Sequence, residues 1–137
     1  MDCIFCRIIN GEIPAHRVYE DDFTLAFLDI NPATRGHTLV IPKQHTADLF
    51  SLSTESACAV MQTTQTVARI LHNTLQSDGL NMIQNNGTAA GQVIFHYHVH
   101  LLPRWLDDGA VRLWRPSATD HAALGALATM LRAAEGT

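Results

Sequence analysis

FHYHVHLLPR, residues 95–104, places histidines at alternate positions, His96, His98 and His100, with apolar Tyr97, Val99 and Leu101 interleaved. A helix would scatter residues spaced two apart around its surface, whereas a strand turns successive side chains to opposite faces. The spacing predicts a strand from Val93 to Pro103, with three imidazoles on one face and Tyr97, Val99 and Leu101 on the other.

Outward from this stretch, NNGTAAGQ (85–92) reads as a small-residue loop and Leu80 to Gln84 as the strand before it. Ser53 caps a helix predicted over residues 54–76, with Ala57, Val60, Met61, Val67, Ile70, Leu71 and Leu75 near the helical period. Ser77-Asp78-Gly79 stops it. Upstream, residues 17–20, 23–29 and 36–42 read as strands, the last ending at Pro42. A final helix is expected over residues 119–134, turning Leu124, Leu127, Met130 and Leu131 inward. Strands flanking one long helix with short links favour an α+β domain built on an antiparallel sheet. Nothing divides the chain, so residues 1–137 read as one domain.

Nine basic and thirteen acidic residues leave a formal charge of −4, which argues against a broad nucleic-acid or membrane surface. No apolar run approaches a membrane span, and the N-terminus lacks a signal-peptide pattern. Three cysteines, Cys3, Cys6 and Cys58, do not make a secreted disulfide framework, and a cytoplasmic setting is expected. Cys58, within the long helix, reads as packed core.

Three uses of the histidine row compete. One zinc held by all three is disfavoured, because same-face residues lie roughly 6.6 Å apart and the outer pair about 13 Å, against a zinc–nitrogen bond of about 2 Å. Surface histidines on a half-exposed strand are the plain alternative. Division of labour fits best: a neutral ring attacks phosphorus while a neighbour stabilises charge or aids the leaving group. The loop before the row can aim N–H groups at an anion, and Asn85 and Gln92 add amides. CIFC (3–6) has the spacing for two thiolates on one metal, with His45 and His96 as further candidates. A closed Cys₂His₂ set would be structural, while a redox pair or two buried cysteines remain open.

These residues carry a resemblance. GQVIFHYHVHLLPR (91–104) closely resembles the histidine triad (HIT) motif, three histidines separated by apolar residues. CIFCRIINGEIPAHRVYEDD, LAFLDINPATRGHTLVIPKQH and the NNGTAAGQ loop are similar to bacterial members of the Hint branch, those with a CxxC zinc site. The resemblance covers the chain to about Trp105. It implies a five-stranded antiparallel sheet with one long and one or two shorter helices, two such sheets joining in a homodimer. It also implies hydrolysis or transfer at the α-phosphate of purine nucleotides such as AMP, GMP or their phosphoramidates, through a nucleotidyl-histidine. His98 would be the nucleophile, oriented by the His96 carbonyl, with His100 on the phosphate and His37 supporting the pocket. Phe5, Ile8, Phe27 and Ile30 would wall the base and Asp29 would accept the ribose hydroxyls. Asn85, Gly91, Gln92 and the Val93 amide would line the phosphate. A structural Zn²⁺ would sit on Cys3, Cys6, His45 and His96.

Plain alternatives accompany these roles: the four apolar residues as core, Asp29 as a turn cap, His37 as a backbone-satisfied histidine, Arg104 as a solvated cation. Eukaryotic Hint proteins carry serine where Val93 stands, which leaves the leaving-group preference open. The enzymatic rival is a dinucleoside polyphosphate hydrolase of the Fhit type, which CIFC disfavours. The rival outside catalysis is a zinc-stabilised nucleotide-binding interaction protein with vestigial activity.

Overall fold

Two hairpin-forming segments supply one end of the sheet. In the computed structural model, which describes residues 2–135, β1 (Arg17–Glu20) pairs antiparallel with β2 (Thr24–Leu28) and β2 with β3 (Thr38–Pro42). The histidine segment enters as β5 (Val99–Arg104), between β3 and β4 (Gly79–Ile83), giving the order β1-β2-β3-β5-β4 with every pairing antiparallel. Among the described residues three α-helices, α1 (Ile4–Ile9), α2 (Thr54–Leu75) and α3 (His121–Ala133), and a short 3-10 helix at Thr88–Ala90 complete the fold.

Both faces of the sheet are covered, so β2 and β3 are buried almost throughout. On one face Ala26, Val40, Val99 and Leu101 pack against Val60, Val67 and Leu71 of α2. Burying each such side chain stabilises the fold by about 1.5–3 kcal/mol. On the other face Leu25, Phe27, Leu39 and Ile41 pack against Phe5 and Ile8 of α1 and against Cys3. Within β5, His100 stands opposite Leu39, on the α1 face. Tyr97, Val99 and Leu101 belong to the α2 face, so the alternation expected of residues 96–101 is kept.

The Ser53 side chain accepts from the Ser56 amide and caps α2, and Gln76 ends the helix in the left-handed region at φ 52°. Several expectations are corrected. β5 begins at Val99 rather than Val93, because the Tyr97 amide bonds the Thr46 carbonyl (2.7 Å) instead of a strand partner. α1 was not anticipated: six residues are too few to display a period. Cys58, Met61 and Ile70 lie on the exposed side of α2. Leu124, Leu127, Met130 and Leu131 are exposed as well, and α3 has no buried residue. Its amphipathic pattern has no core here to serve. The one-domain reading also includes Met1, Gly136 and Thr137, which lie outside the described residues.

Candidate functional site

The three histidines diverge because each ring meets a different backbone or side-chain partner. His96 is fully buried, and its Nε2–H donates to the Pro42 carbonyl at the end of β3 (2.8 Å). That bond puts the ring's lone pair on Nδ1. Nδ1 then faces Cys3 Sγ at 3.3 Å, Cys6 Sγ at 3.6 Å and His45 Nδ1 at 3.2 Å, with Cys6 Sγ 3.4 Å from His45 Nδ1. A tetrahedral ion with bonds of about 2.3 Å to sulfur and about 2.0 Å to nitrogen requires donor separations of roughly 3.3–3.7 Å. These four separations lie close to that spacing and all four donor atoms lie within 4.8 Å of one another, and the Pro42 carbonyl is the outer hydrogen bond that orients a ligating imidazole. Burial, then the bond and charge of Cys3, push the Cys6 thiol up to about 11, so a metal must displace its proton. These four residues fit a closed, structural zinc site.

His98 is held by its other ring nitrogen. Its Nδ1 lies 2.7 Å from the His96 carbonyl, an acceptor only, so Nδ1 carries the hydrogen and Nε2 is left with a bare lone pair. Phe5 meets the ring edge-on at 5.2 Å and fixes its plane. His100 lies beside it, ring centroids 4.9 Å apart, with its own Nδ1 2.9 Å from His37 Nε2. Burial pushes His37, His98 and His100 below the usual imidazole range, His100 to about 4, where the neighbouring His98 and His37 add to the effect. Asp29 opposes the shift at all three. All three rings are therefore neutral at pH 7.

A cleft of about 270 Å³ opens on this face, lined by Phe5, Ile8, Phe27, Asp29, Ile30 and Leu39 among others. The structure thus brings the five expected base and ribose residues together. Phe5, Ile8 and Phe27 are at once core and cleft wall, whereas Ile30 is largely exposed at the rim. Asp29 takes the plain alternative, the turn cap, and also approaches His37. Its Oδ1 caps the turn by accepting from the Asn31 amide (2.8 Å), and its Oδ2 lies 3.5 Å from His37 Nε2.

The loop after β4 is held by Gln92, 2 % exposed. Its Oε1 accepts from the Gly87 amide and its Nε2 donates to the Ala47 and Ile94 carbonyls. The side chain is thereby committed to shaping the loop. Gly91 adopts φ +90°, a left-handed conformation, beside the Asn85 amide. The Val93 side chain is exposed. Arg104 is tied to Asp108 and Asn81 and takes no part in the cleft.

Asp29, His37 and His100 form a second group of possible metal donors. The Ala33 amide argues against that use. It donates to His37 Nδ1 (3.0 Å), which puts the His37 hydrogen on Nε2, the atom that would have to face the ion. Sequence reasoning missed this amide, as well as the Pro42 and Thr46 carbonyls. Main-chain groups carry no residue-type signal.

Comparison with known proteins agrees with the geometry. The HIT domain pattern matches residues 10–105. A crystal structure of a HIT family member from Bacillus subtilis superposes with a TM-score of 0.93 at 37% identity, covering 100% of this chain and 99% of that one. Adenosine 5′-monophosphoramidase HNT1 of Candida albicans is 39% identical over 137 residues, 95% of this chain and 89% of the relative. A Zn-bound histidine triad family protein from Mycobacterium smegmatis superposes with a TM-score of 0.77 at 42% identity, covering 97% and 98% of the two chains.

Proposed function

The chain belongs to the HIT domain family, and from that premise we propose that it is an AMP-releasing nucleoside phosphoramidase, acting at the α-phosphate of purine nucleotides through a nucleotidyl-histidine. The single observation carrying this reading is the 2.7 Å bond from His98 Nδ1–H to the His96 carbonyl, which leaves Nε2 bare on a ring that meets Phe5 of the cleft wall edge-on. A neutral ring nitrogen with a fixed tautomer is a nucleophile needing no base. Nε2 bonds to phosphorus as the phosphorus–nitrogen bond to the leaving amine breaks, and the amine takes up a proton from solvent, which regains one when water is split in the next step. Water then cleaves the histidine–phosphorus bond, releasing the nucleotide and restoring the ring.

Phe5, Ile8, Phe27 and Ile30 hold the purine by dispersion and burial, and Asp29 takes the ribose hydroxyls. Asn85, Gly91 and the Val93 amide receive the phosphate, with Gln92 keeping that loop in shape. The relative from Candida albicans, named as a phosphoramidase, supports the reaction class. Zinc on Cys3, Cys6, His45 and His96 ties the N-terminal segment to the sheet and supplies no catalysis, since all four positions are protein ligands. The Zn-bound relative supports that choice of metal, and the clustering of Cys3 and Cys6 with His45 and His96 supports the assignment to the CxxC branch.

The working form in this reading is a homodimer. β4 is an edge strand, and beside it Met61, Thr64, Ala68, Leu80 and Met82 line an apolar groove of about 290 Å³. Exposed edges invite pairing with a second copy, which would join two five-stranded sheets. The exposed apolar residues of α3 gain a partner in the same assembly.

The test is trapping. Protein mixed with an adenosine 5′-phosphoramidate and quenched should carry an AMP adduct, located by peptide mass spectrometry on His98. An adduct on another residue, or turnover with none in a rapid quench, overturns the assignment.

A further inference from the structure

The Ala33 N–H can only donate, and it lies 3.0 Å from His37 Nδ1. His37 Nδ1 is therefore the acceptor, and in the neutral ring the hydrogen sits on Nε2. His37 Nε2 is 2.9 Å from His100 Nδ1 and 3.5 Å from Asp29 Oδ2. The shorter contact is the hydrogen bond, with Asp29 reinforcing the polarity of the N–H. His100 Nδ1 must then accept, which leaves the His100 hydrogen on Nε2.

Resting on the hydrolase reading above, we propose that His37 is a positioning residue: through it, the main-chain amide of Ala33 holds His100 as a neutral Nε2–H donor toward the α-phosphate oxygens. One main-chain group thereby sets the tautomer of a ring two hydrogen bonds away. His98 and His100, side by side, come to present opposite faces of the same chemistry. One offers a lone pair to phosphorus; the other offers a hydrogen bond to the oxygen on which charge develops. With the opposite tautomer, His100 would aim a lone pair at a phosphate oxygen and repel it. Because the His100 ring is neutral, it stabilises charge as a fixed donor rather than as an imidazolium.

The device explains why the loop between β2 and β3 is shaped as it is. Asp29 and His37 stand at its two ends, joined by the Asp29 N–H to the His37 carbonyl (2.9 Å). Pro32 just before Ala33 restricts the turn that presents the amide. His37 is 7% exposed, so no water competes for its nitrogens.

Nitrogen-15 NMR of imidazole-labelled full-length protein tests this without any turnover. His37 and His100 should each show a protonated Nε2 and a bare Nδ1. A bare Nε2 on His100 in the resting protein overturns the proposal outright. H37Q keeps an N–H aimed at His100 and should keep kcat within about fivefold of the parent. H37L fills the space but cannot donate, and should lose about 10- to 100-fold in kcat with little change in KM, as expected for a donor that acts on developing charge. Equal rates for the two variants would mean that His37 only packs, and would also overturn the proposal. If the tautomers are as stated but no nucleotidyl adduct forms on His98, the hydrolase reading fails and the tautomer relay stands.

Discussion

Gly36 sits one residue before His37, at φ +85°. Replacing it with alanine tests how tightly the loop that carries His37 is built. A Cβ there would stand 2.5 Å from Leu75 Cδ1 and 3.2 Å from Pro103 Cγ. Leu75 is half-buried at the last turn of α2 and can swing; Pro103 is fully buried within β5 and cannot. The left-handed backbone costs a non-glycine residue about 1–2 kcal/mol, and overpacking adds about 1–3 kcal/mol. A combined loss of about 2–5 kcal/mol corresponds to a fall in thermal midpoint on the order of 10 °C for a domain of this size. Differential scanning calorimetry measures it directly. The double variant G36A/L75A separates the two contributions: removing Leu75 Cδ1 should make the pair less damaging than the sum of the singles by about 1 kcal/mol or more. Because the change falls beside the 2.9 Å bond from His37 to His100, kcat should fall as well. A G36A midpoint within about 2 °C of the parent would refute the reasoning, since neither backbone strain nor the fixed proline ring would then be felt.

Other expectations concern the two clusters. H98A should lower turnover of an adenosine phosphoramidate by at least about 10³-fold, with circular dichroism and thermal midpoint close to the parent; a near-parental rate would dismiss His98 as nucleophile. Elemental analysis should find zinc in the parent and not in C6S, and C6S should melt at lower temperature; an unchanged midpoint would remove the structural role proposed for the metal. Zinc affinity should weaken as pH falls, because the Cys6 thiol, at about 11 without metal, must lose its proton to bind; titration calorimetry in two buffers reads the protons released. For His100, whose folded value of about 4 lies below the ordinary 6.5, the unfolded chain binds the proton first. Its contribution to stability is therefore complete above about 6.5 and drains away as pH falls toward about 4, which denaturant midpoints across that window should follow. Across the same window kcat/KM should stay flat near neutrality and fall only at acid pH, as the rings take up protons.

The sequence made the sheet legible where period and punctuation coincided. β1 was placed to the residue, and the start of α2 followed from Ser53, whose hydroxyl does cap it. The alternation of residues 96–101 correctly divided the histidines from Tyr97, Val99 and Leu101, although the ladder itself starts later. What period cannot reveal is where a backbone N–H goes, and the Tyr97 amide went to a loop carbonyl. The candidate site residues were readable by type because imidazole, thiol and carboxylate are scarce and chemically marked. The tautomers of His37, His96 and His100 were not, since they depend on the Ala33 amide and the Pro42 carbonyl, main-chain groups without a residue-type signal; the His96 carbonyl behind His98 came only with the family resemblance. α3 misled for a related reason: its apolar spacing marks a face to be covered, and spacing says nothing about which surface covers it.

Under the proposed function, three identical side chains in five residues take three tasks because protonation, rather than position alone, distinguishes them. A zinc ligand needs its lone pair turned toward the metal, a nucleophile needs a ring nitrogen with a free lone pair, and a charge-stabilising donor needs a ring nitrogen with a free hydrogen. Each requirement is met by satisfying the ring's other nitrogen: a carbonyl for His96 Nε2, a carbonyl for His98 Nδ1, and an N–H of His37 for His100 Nδ1. The carbonyl serving His98 belongs to His96 itself. Anything that frees the His96 ring from its site, a lost metal included, therefore loosens the group that orients the nucleophile one strand position away. The metal cluster and the chemical pair share a backbone unit, so the zinc-free protein should keep its sheet while His98 exchanges between tautomers. Nitrogen-15 spectra of chelator-treated protein would detect that exchange, and a His98 locked as Nδ1–H without metal would show that the coupling is absent.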